Sequence, residues 1–219
     1  MVHISPAKSE DGVHNFQAVT LRNILAQVFD VTPVRIFLPA PLDDDKLYDV
    51  DIALSETGSA ESNSSRILHA IQDHFSVVVT REELLVDVYV VNTANGKSPA
   101  PLTPSEDNGG GGASFSRVEI RNPKYVGAPG ELPSLIKPAS LGDIQAIELK
   151  GTIDEFCRTL EFGIDRPMVN ETHLDGEYEF RVKTAAGGAN DFLERLRDQY
   201  NLGITPAERR IQMVVLKPR

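Results

Sequence analysis

The sequence predicts an α+β fold: two tandem β-α-β-β-α-β halves, with antiparallel or mixed sheets backed by helices. Three observations predict it. First, residues 190–216, NDFLERLRDQYNLGITPAERRIQMVVL, lie without a gap on residues 65–91, SRILHAIQDHFSVVVTREELLVDVYVV. Ile67 falls on Phe192, Ile71 on Leu196, Phe75 on Tyr200, Val77 on Leu202 and Val79 on Ile204. Second, the match widens toward the N-terminus: Thr20 falls on Thr152, Leu21 on Ile153, and Tyr48–Ile52 on Tyr178–Val182 after a two-residue gap. Third, between about residues 92 and 138 proline, serine, glycine and asparagine accumulate around the run Gly109–Gly112. The expected divisions are a first half over 1–92, a Pro/Gly-rich linker over 93–140 and a second half over 141–219.

In the first half, Val2–Ile4 is an apolar alternation closed by Pro6, as an edge strand would be. Asn15–Val19 reads as a strand leading into Thr20, a good N-cap. Leu21, Ile24, Leu25 and Val28 then recur at helical spacing, and Pro33 marks the stop. Val34–Leu38 reads as a strand ended by Pro39 and Pro41. Leu47–Leu54 alternates with period two, Tyr48, Val50 and Ile52 against Asp49 and Asp51. Residues 55–65 read as a Ser/Gly/Glu loop ending in a helix cap. The repeated stretch then predicts an amphipathic helix, a short strand, a turn capped at Thr80 and a final strand over Val86–Val91.

Phe115–Ile120 adds a strand inside the linker. In the second half Ile144–Leu149 alternates and enters Thr152-Ile153-Asp154-Glu155, a capping box. Ile153, Phe156, Cys157 and Leu160 mark the buried side of the helix that follows. Pro167–Asn170 is a short strand, and Leu174-Asp175-Gly176 turns the chain into the strand Glu177–Lys183. The second copy of the repeat closes the chain, with Thr205-Pro206-Ala207-Glu208 read as a capped turn carrying proline at the first helical position.

A net charge of -10 argues against a nucleic-acid backbone or an anionic membrane surface as partner. The one cysteine, Cys157, has no partner for an internal disulfide. No window holds the eighteen or so apolar residues of a spanning helix. The opening Met1–Pro6 reads as a strand, so the sequence is either cytosolic or a trimmed mature form.

The order TLRNILAQVFDV, LYDVDIAL, SSRILHAIQDHFSVVVTREELLVDVYVV, RPMVNETHLDGEYEFRVKT and a C-terminal VVLKP resembles a soil-bacterial family of exported proteins of unknown function. That family shows an Arg-Pro-Val-Val-Asp run, a Thr-Gly-Leu-x-Gly turn and a Tyr-Asp-Phe strand. Arg166, Pro167, Val169, Thr172, Leu174, Gly176, Tyr178 and Phe180 follow it; Asn170 and His173 depart, and the first half lacks the family's Trp-Leu pair. The resemblance implies export after removal of a signal peptide, and the motifs read as turn and packing signatures. The halves are also similar to the short N-terminal docking domains of secretins and TonB-dependent receptors, a fold-level analogy.

Candidate chemistry is sparse. Cys157 stands on the apolar helix side, opposite Leu25 in the repeat, and reads as packing. His69 and His74 are five apart, not at metal-ligand spacing, and His173 occupies a glycine-like turn position. Asp43, Asp44 and Asp45 lack EF-hand spacing. Asp49 with Asp51, and Glu82 with Glu83, have no apolar pocket that would raise a carboxyl pKa. The glycines fit no phosphate-binding loop, and neither a Gly-x-Ser-x-Gly elbow nor a His-Glu-x-x-His helix occurs. Arg166 is the most interesting charge, able to hold a carboxylate bidentately, with Asp165 or Glu171 as the internal alternative. Candidate binding residues are Arg166, Tyr178 and Tyr48; no catalytic, metal or cofactor residue is expected. The expected function is a non-catalytic exported docking or accessory subunit with a protein partner, acting by strand addition or sheet-face contact. The alternative is a small-molecule or peptide binder with Arg166 and Tyr178 on the wall of its cleft, and a hydrolase comes third.

Overall fold

The computed structural model describes residues 13–40, 42, 47–53, 60–94, 116–120, 125–126, 134–135, 144–183 and 189–219. The expected strand at Val2–Ile4, the Asp43–Asp45 run, the four-glycine run and most of the 93–140 linker lie outside these residues. In chain order come β1 (Val13–Thr20), α1 (Leu21–Phe29), β2 (Ile36–Phe37), β3 (Leu47–Ala53), α2 (Ala60–Phe75) and β4 (Val77–Thr93). Three short strands follow: β5 (Ser116–Ile120), β6 (Tyr125–Val126) and β7 (Ser134–Leu135). The chain closes with β8 (Ile144–Gly151), α3 (Ile153–Glu161), β9 (Met168–Asn170), β10 (Tyr178–Lys183), α4 (Ala189–Tyr200) and β11 (Leu202–Pro218). The class is α+β, and the order β-α-β-β-α-β occurs over β1–β4 and again over β8–β11.

Two compact units form. One comprises Met1–Leu84, Val126–Ile136 and Arg210–Arg219; the other comprises Leu85–Tyr125 and Lys137–Arg209. The four-stranded sheet has the order β2-β11-β4-β9, so each long strand contributes its ends to different units. In the first unit the Arg219 N–H bonds the Ser76 carbonyl at 2.9 Å; in the second the Ala94 N–H bonds the Asn201 carbonyl at 2.7 Å. β4 and β11 therefore run antiparallel.

In the first unit Thr20 caps α1, its side chain accepting the Asn23 N–H at 3.2 Å. The helix stops at Asp30, which is left-handed at φ 50 and returns its N–H to Ala26 and Gln27. Leu21, Ile24 and Leu25 pack with Ile36, Ile67, Ile71, Val77, Val79, Val214 and Leu216 into one core. Two expectations are corrected. Val34 and Arg35 belong to a 3-10 turn over Pro33–Arg35, because Pro33 presets a helical φ and its carbonyl accepts the Ile36 N–H. α2 begins at Ala60 inside the expected loop, since Ala60 and Glu61 are strong helix formers and extend the turn upstream of the buried stripe.

In the second unit β8 lies between β10 and β5, with Arg181 opposite Glu148 and Val118 opposite Ile147. The capping box closes as its spacing predicts. Thr152 Oγ1 accepts the Glu155 N–H at 3.1 Å, and Glu155 Oε2 accepts the Thr152 N–H at 2.7 Å. Ile147, Leu149, Ile153, Phe156, Leu160, Phe180, Phe192 and Leu196 form the second core, together with Val91 and Leu202. Phe156 and Phe180 meet with ring centroids 4.6 Å apart.

The turns expected at Thr80 and Thr205 do not form: β4 and β11 are each continuous over 17 residues. Both segments run on as strand, and the Thr80 hydroxyl donates to Glu82 at 2.6 Å. Pro206 is accommodated in β11 because β2 reaches only Val214 and Val215, so no second described strand needs its missing N–H.

Helix side chains close several strand edges. Glu161, buried at the end of α3, accepts the Met168 N–H of β9 at 2.6 Å. Arg22 on α1 donates to the carbonyls of Pro33 and Ile36, the latter on β2. Tyr200 on α4 reaches Arg181 on β10. Each such contact occupies a backbone group that could otherwise help template another strand.

Candidate functional site

The parallel pairing of β9 with β4 places Met168 beside Tyr89, and the Tyr89 N–H bonds the Pro167 carbonyl at 2.8 Å. That ladder brings the loop before β9 onto a side chain far away in sequence. The Arg166 guanidinium carbon lies 5.4 Å from the Tyr89 ring centroid, a cation–π contact. Arg166 also forms an ion pair with Asp165, its Nε 3.7 Å from Asp165 Oδ2. Burial, then the Asp165 carboxylate, pushes the Tyr89 hydroxyl above its ordinary value, with Arg166 opposing. Tyr89 therefore stays neutral at neutral pH.

Past β9 the chain makes a second polar cluster in the same unit. Arg209 Nε donates to Glu171 Oε1 at 2.6 Å and Arg209 Nη2 to Glu171 Oε2 at 3.2 Å, a two-pronged pair. Asn170 Nδ2 donates to Asp154 at 2.9 Å, while Asn170 Oδ1 accepts from the Thr172 backbone at 3.0 Å and its hydroxyl at 2.7 Å. His173 holds a left-handed φ of 55 and is exposed, as a residue in a glycine-like turn position must be. Arg209 holds the Glu171 carboxyl below the usual range, and Glu171 raises Arg209 in return. In the first unit Lys217, then Thr80, likewise hold Glu82 low. Each of these shifts favours the charge state the group already has at neutral pH.

The other sequence candidates have structural partners. Tyr178 begins β10; its hydroxyl donates to the Asp175 carbonyl at 2.5 Å, and its ring centroid is 6.3 Å from that of Phe180. Tyr48 lies on β3 edge-on to Phe75, centroids 5.1 Å apart. Arg166 and Tyr178 belong to the second unit and Tyr48 to the first. Glu171 pairs with Arg209, while Arg166 stands nearest Asp165. Sequence reasoning missed Tyr89 and Arg209 as partners of the β9 segment. Only strand pairing reveals them, and no spacing signal links them to it. Cys157 is buried in the core of the second unit. His69 and His74 are exposed, and among the described residues no group of three His, Cys, Asp or Glu has metal-binding geometry.

A family model described as a protein of unknown function (DUF3738) matches residues 22–207. No curated protein and no solved structure matches the chain.

Proposed function

The chain belongs to the DUF3738 family of proteins of unknown function, and we propose that it is a non-catalytic docking module, exported and acting as an accessory subunit with a protein partner. The observation that carries this reading is Arg166, a guanidinium fixed over the Tyr89 ring with no hydrogen bond to another described residue. The ring contact and the Asp165 ion pair hold it in place while part of the side chain stays exposed. Strand addition is made harder at β9, β2 and β10, where Glu161, Arg22 and Tyr200 each engage one residue's backbone. A surface contact at the loop before β9 is the mode we favour.

The reading includes an internal duplication. Ile67 and Phe192 are both buried, as are Val77 with Leu202 and Val79 with Ile204. Ser76 and Asn201, at matching positions after α2 and α4, share left-handed φ values of 52 and 51. An ancestral unit doubled in tandem accounts for both coincidences more simply than chance does.

Photo-cross-linking tests the docking role. A photoreactive phenylalanine at position 162, in the full chain expressed in its source cells, is expected to give one discrete heteroprotein adduct that Arg166→Ala abolishes. No adduct, or an adduct indifferent to Arg166, overturns it. Export is tested by fractionating those cells: recovery of the chain in the cytosol alone removes that part of the proposal.

A further inference from the structure

Each compact unit is built from both halves of the chain. The core of the first unit joins Ile67, Val77 and Val79 of the first half to Val214 and Leu216 of the second. The core of the second unit joins Phe192, Leu202 and Ile204 of the second half to Val91 of the first. The offset that lays Val77 on Leu202 also lays Val91 on Leu216, so each core takes an equivalent residue from the other half. The hydrogen bonds match in the same way. Moved by that offset, the bond from the Arg219 N–H to the Ser76 carbonyl becomes the bond from the Ala94 N–H to the Asn201 carbonyl.

The short strands repeat the pattern. Tyr89 and Val90 of β4 fall on Val214 and Val215 of β11. The first pair carries Met168 and Val169 of β9, the second Ile36 and Phe37 of β2, both in parallel register. Ile36 falls on Met168 under the offset that lays Thr20 on Thr152. Among the described residues, β9 on β4 is thus the counterpart of β2 on β11 with the halves reversed, and β4 on β11 maps onto itself. An interface between identical subunits related by a twofold has this property: where residue i meets j, j meets i. Two related domains joined end to end have no reason to show it. We infer that the chain is a fused homodimer. Along β4 and β11 each half presents a self-complementary surface whose partner is another copy of the repeat, and the covalent connection after Thr93 is not what holds the two together. Neither half completes a core alone, because its last strand reaches into the core of the other. This inference rests on the duplication reading and names the partner each half was built to meet.

The test places a site-specific protease sequence at Gly109–Gly112 of the full chain, cuts it in native buffer and follows size and circular dichroism. The cut protein is expected to elute where the uncut one does, with its circular dichroism unchanged. Its denaturation midpoint is expected to rise with protein concentration while that of the uncut protein stays constant, because rejoining two fragments is a bimolecular step. Two cysteine pairs test the reciprocity. A Cβ added to Gly203 would stand 2.7 Å from Asn92 Oδ1, and the repeat carries Asn92 and Gly203 onto Lys217 and Val78. Asn92→Cys with Gly203→Cys, and separately Val78→Cys with Lys217→Cys, are each expected to hold the cut fragments in one band without reductant. Fragments that part in native buffer overturn the inference, as does a midpoint that ignores concentration. If they part and each stays folded, the halves are autonomous domains and the duplication reading stands. Fragments that stay together but form only one of the two disulfides overturn both, because the matched contacts are then missing.

Discussion

The Tyr200 hydroxyl sits on the outer edge of β10, accepting the Arg181 N–H at 2.7 Å and donating to the Arg181 carbonyl at 3.2 Å. One side chain thus makes the two-way exchange that a neighbouring strand residue makes in an antiparallel ladder. Its ring also packs on Phe180, centroids 5.4 Å apart, so α4 is fastened to the sheet by the residue that closes its edge. The repeat places Phe75, which has no hydroxyl, at the matching position of the first half.

Removing that hydroxyl reopens the edge. Tyr200→Phe is expected to cost about 1–2 kcal/mol, two modest hydrogen bonds, because the ring contact survives. Chemical denaturation measures the loss, and hydrogen exchange locates it at the Arg181 amide. Unchanged exchange there would mean that the hydroxyl does not protect the strand.

Glu161 offers a sharper contrast. Glu161→Ala leaves the Met168 N–H without its buried acceptor and is expected to cost about 1–3 kcal/mol, while Glu161→Gln keeps an acceptor oxygen and costs less. Equal losses for the two variants in urea unfolding would show that the carboxylate matters for packing and not for the β9 amide.

Acid weakens the fold through two surface pairs. Arg209 depresses the Glu171 carboxyl and Lys217 depresses Glu82. A carboxyl depressed in the folded state adds stability that is present above its unfolded pKa and is lost as pH falls through its folded value. The decline therefore lies at and below roughly pH 4. Both pairs are exposed, so the effect is small and shrinks with salt. Melting temperatures from pH 7 to pH 3 are expected to fall less steeply in the Arg209→Ala, Lys217→Ala double variant than in the wild type. Parallel curves would assign acid sensitivity elsewhere.

At the start of α3, a Cβ added to Gly151 would collide with the Glu155 carboxylate that accepts the Thr152 N–H. Gly151→Ala is expected to open the capping box at a cost of about 1 kcal/mol. Thr152→Ala should then add little further loss in a double-mutant cycle, and fully additive losses would separate the two effects.

His173 holds a left-handed backbone that β-carbon-bearing residues adopt at a cost. His173→Gly is expected to stabilise the protein by up to about 1 kcal/mol, offset in part by the entropy glycine loses on folding. A drop in melting temperature would show that the imidazole makes a contribution exceeding the strain.

What the sequence determined by itself was local. Thr20 and Thr152 carry their caps in their own neighbours, and Leu21, Ile24, Ile153 and Phe156 carry helix faces in their spacing, so both helices were legible. The family resemblance placed His173 at a glycine-like turn position, and the residue is exposed with a left-handed backbone. Tertiary structure decided what depends on distant partners. Thr80 and Thr205-Pro206 look like turns to a local reading, yet both segments run through as strand. Val77 and Val91 of one strand enter different cores, and Tyr89 lies beneath Arg166. The physical reason is the same in each case. A cap is satisfied within one helical turn, whereas a strand's hydrogen bonds and buried face have no defined partner until a remote segment pairs with it.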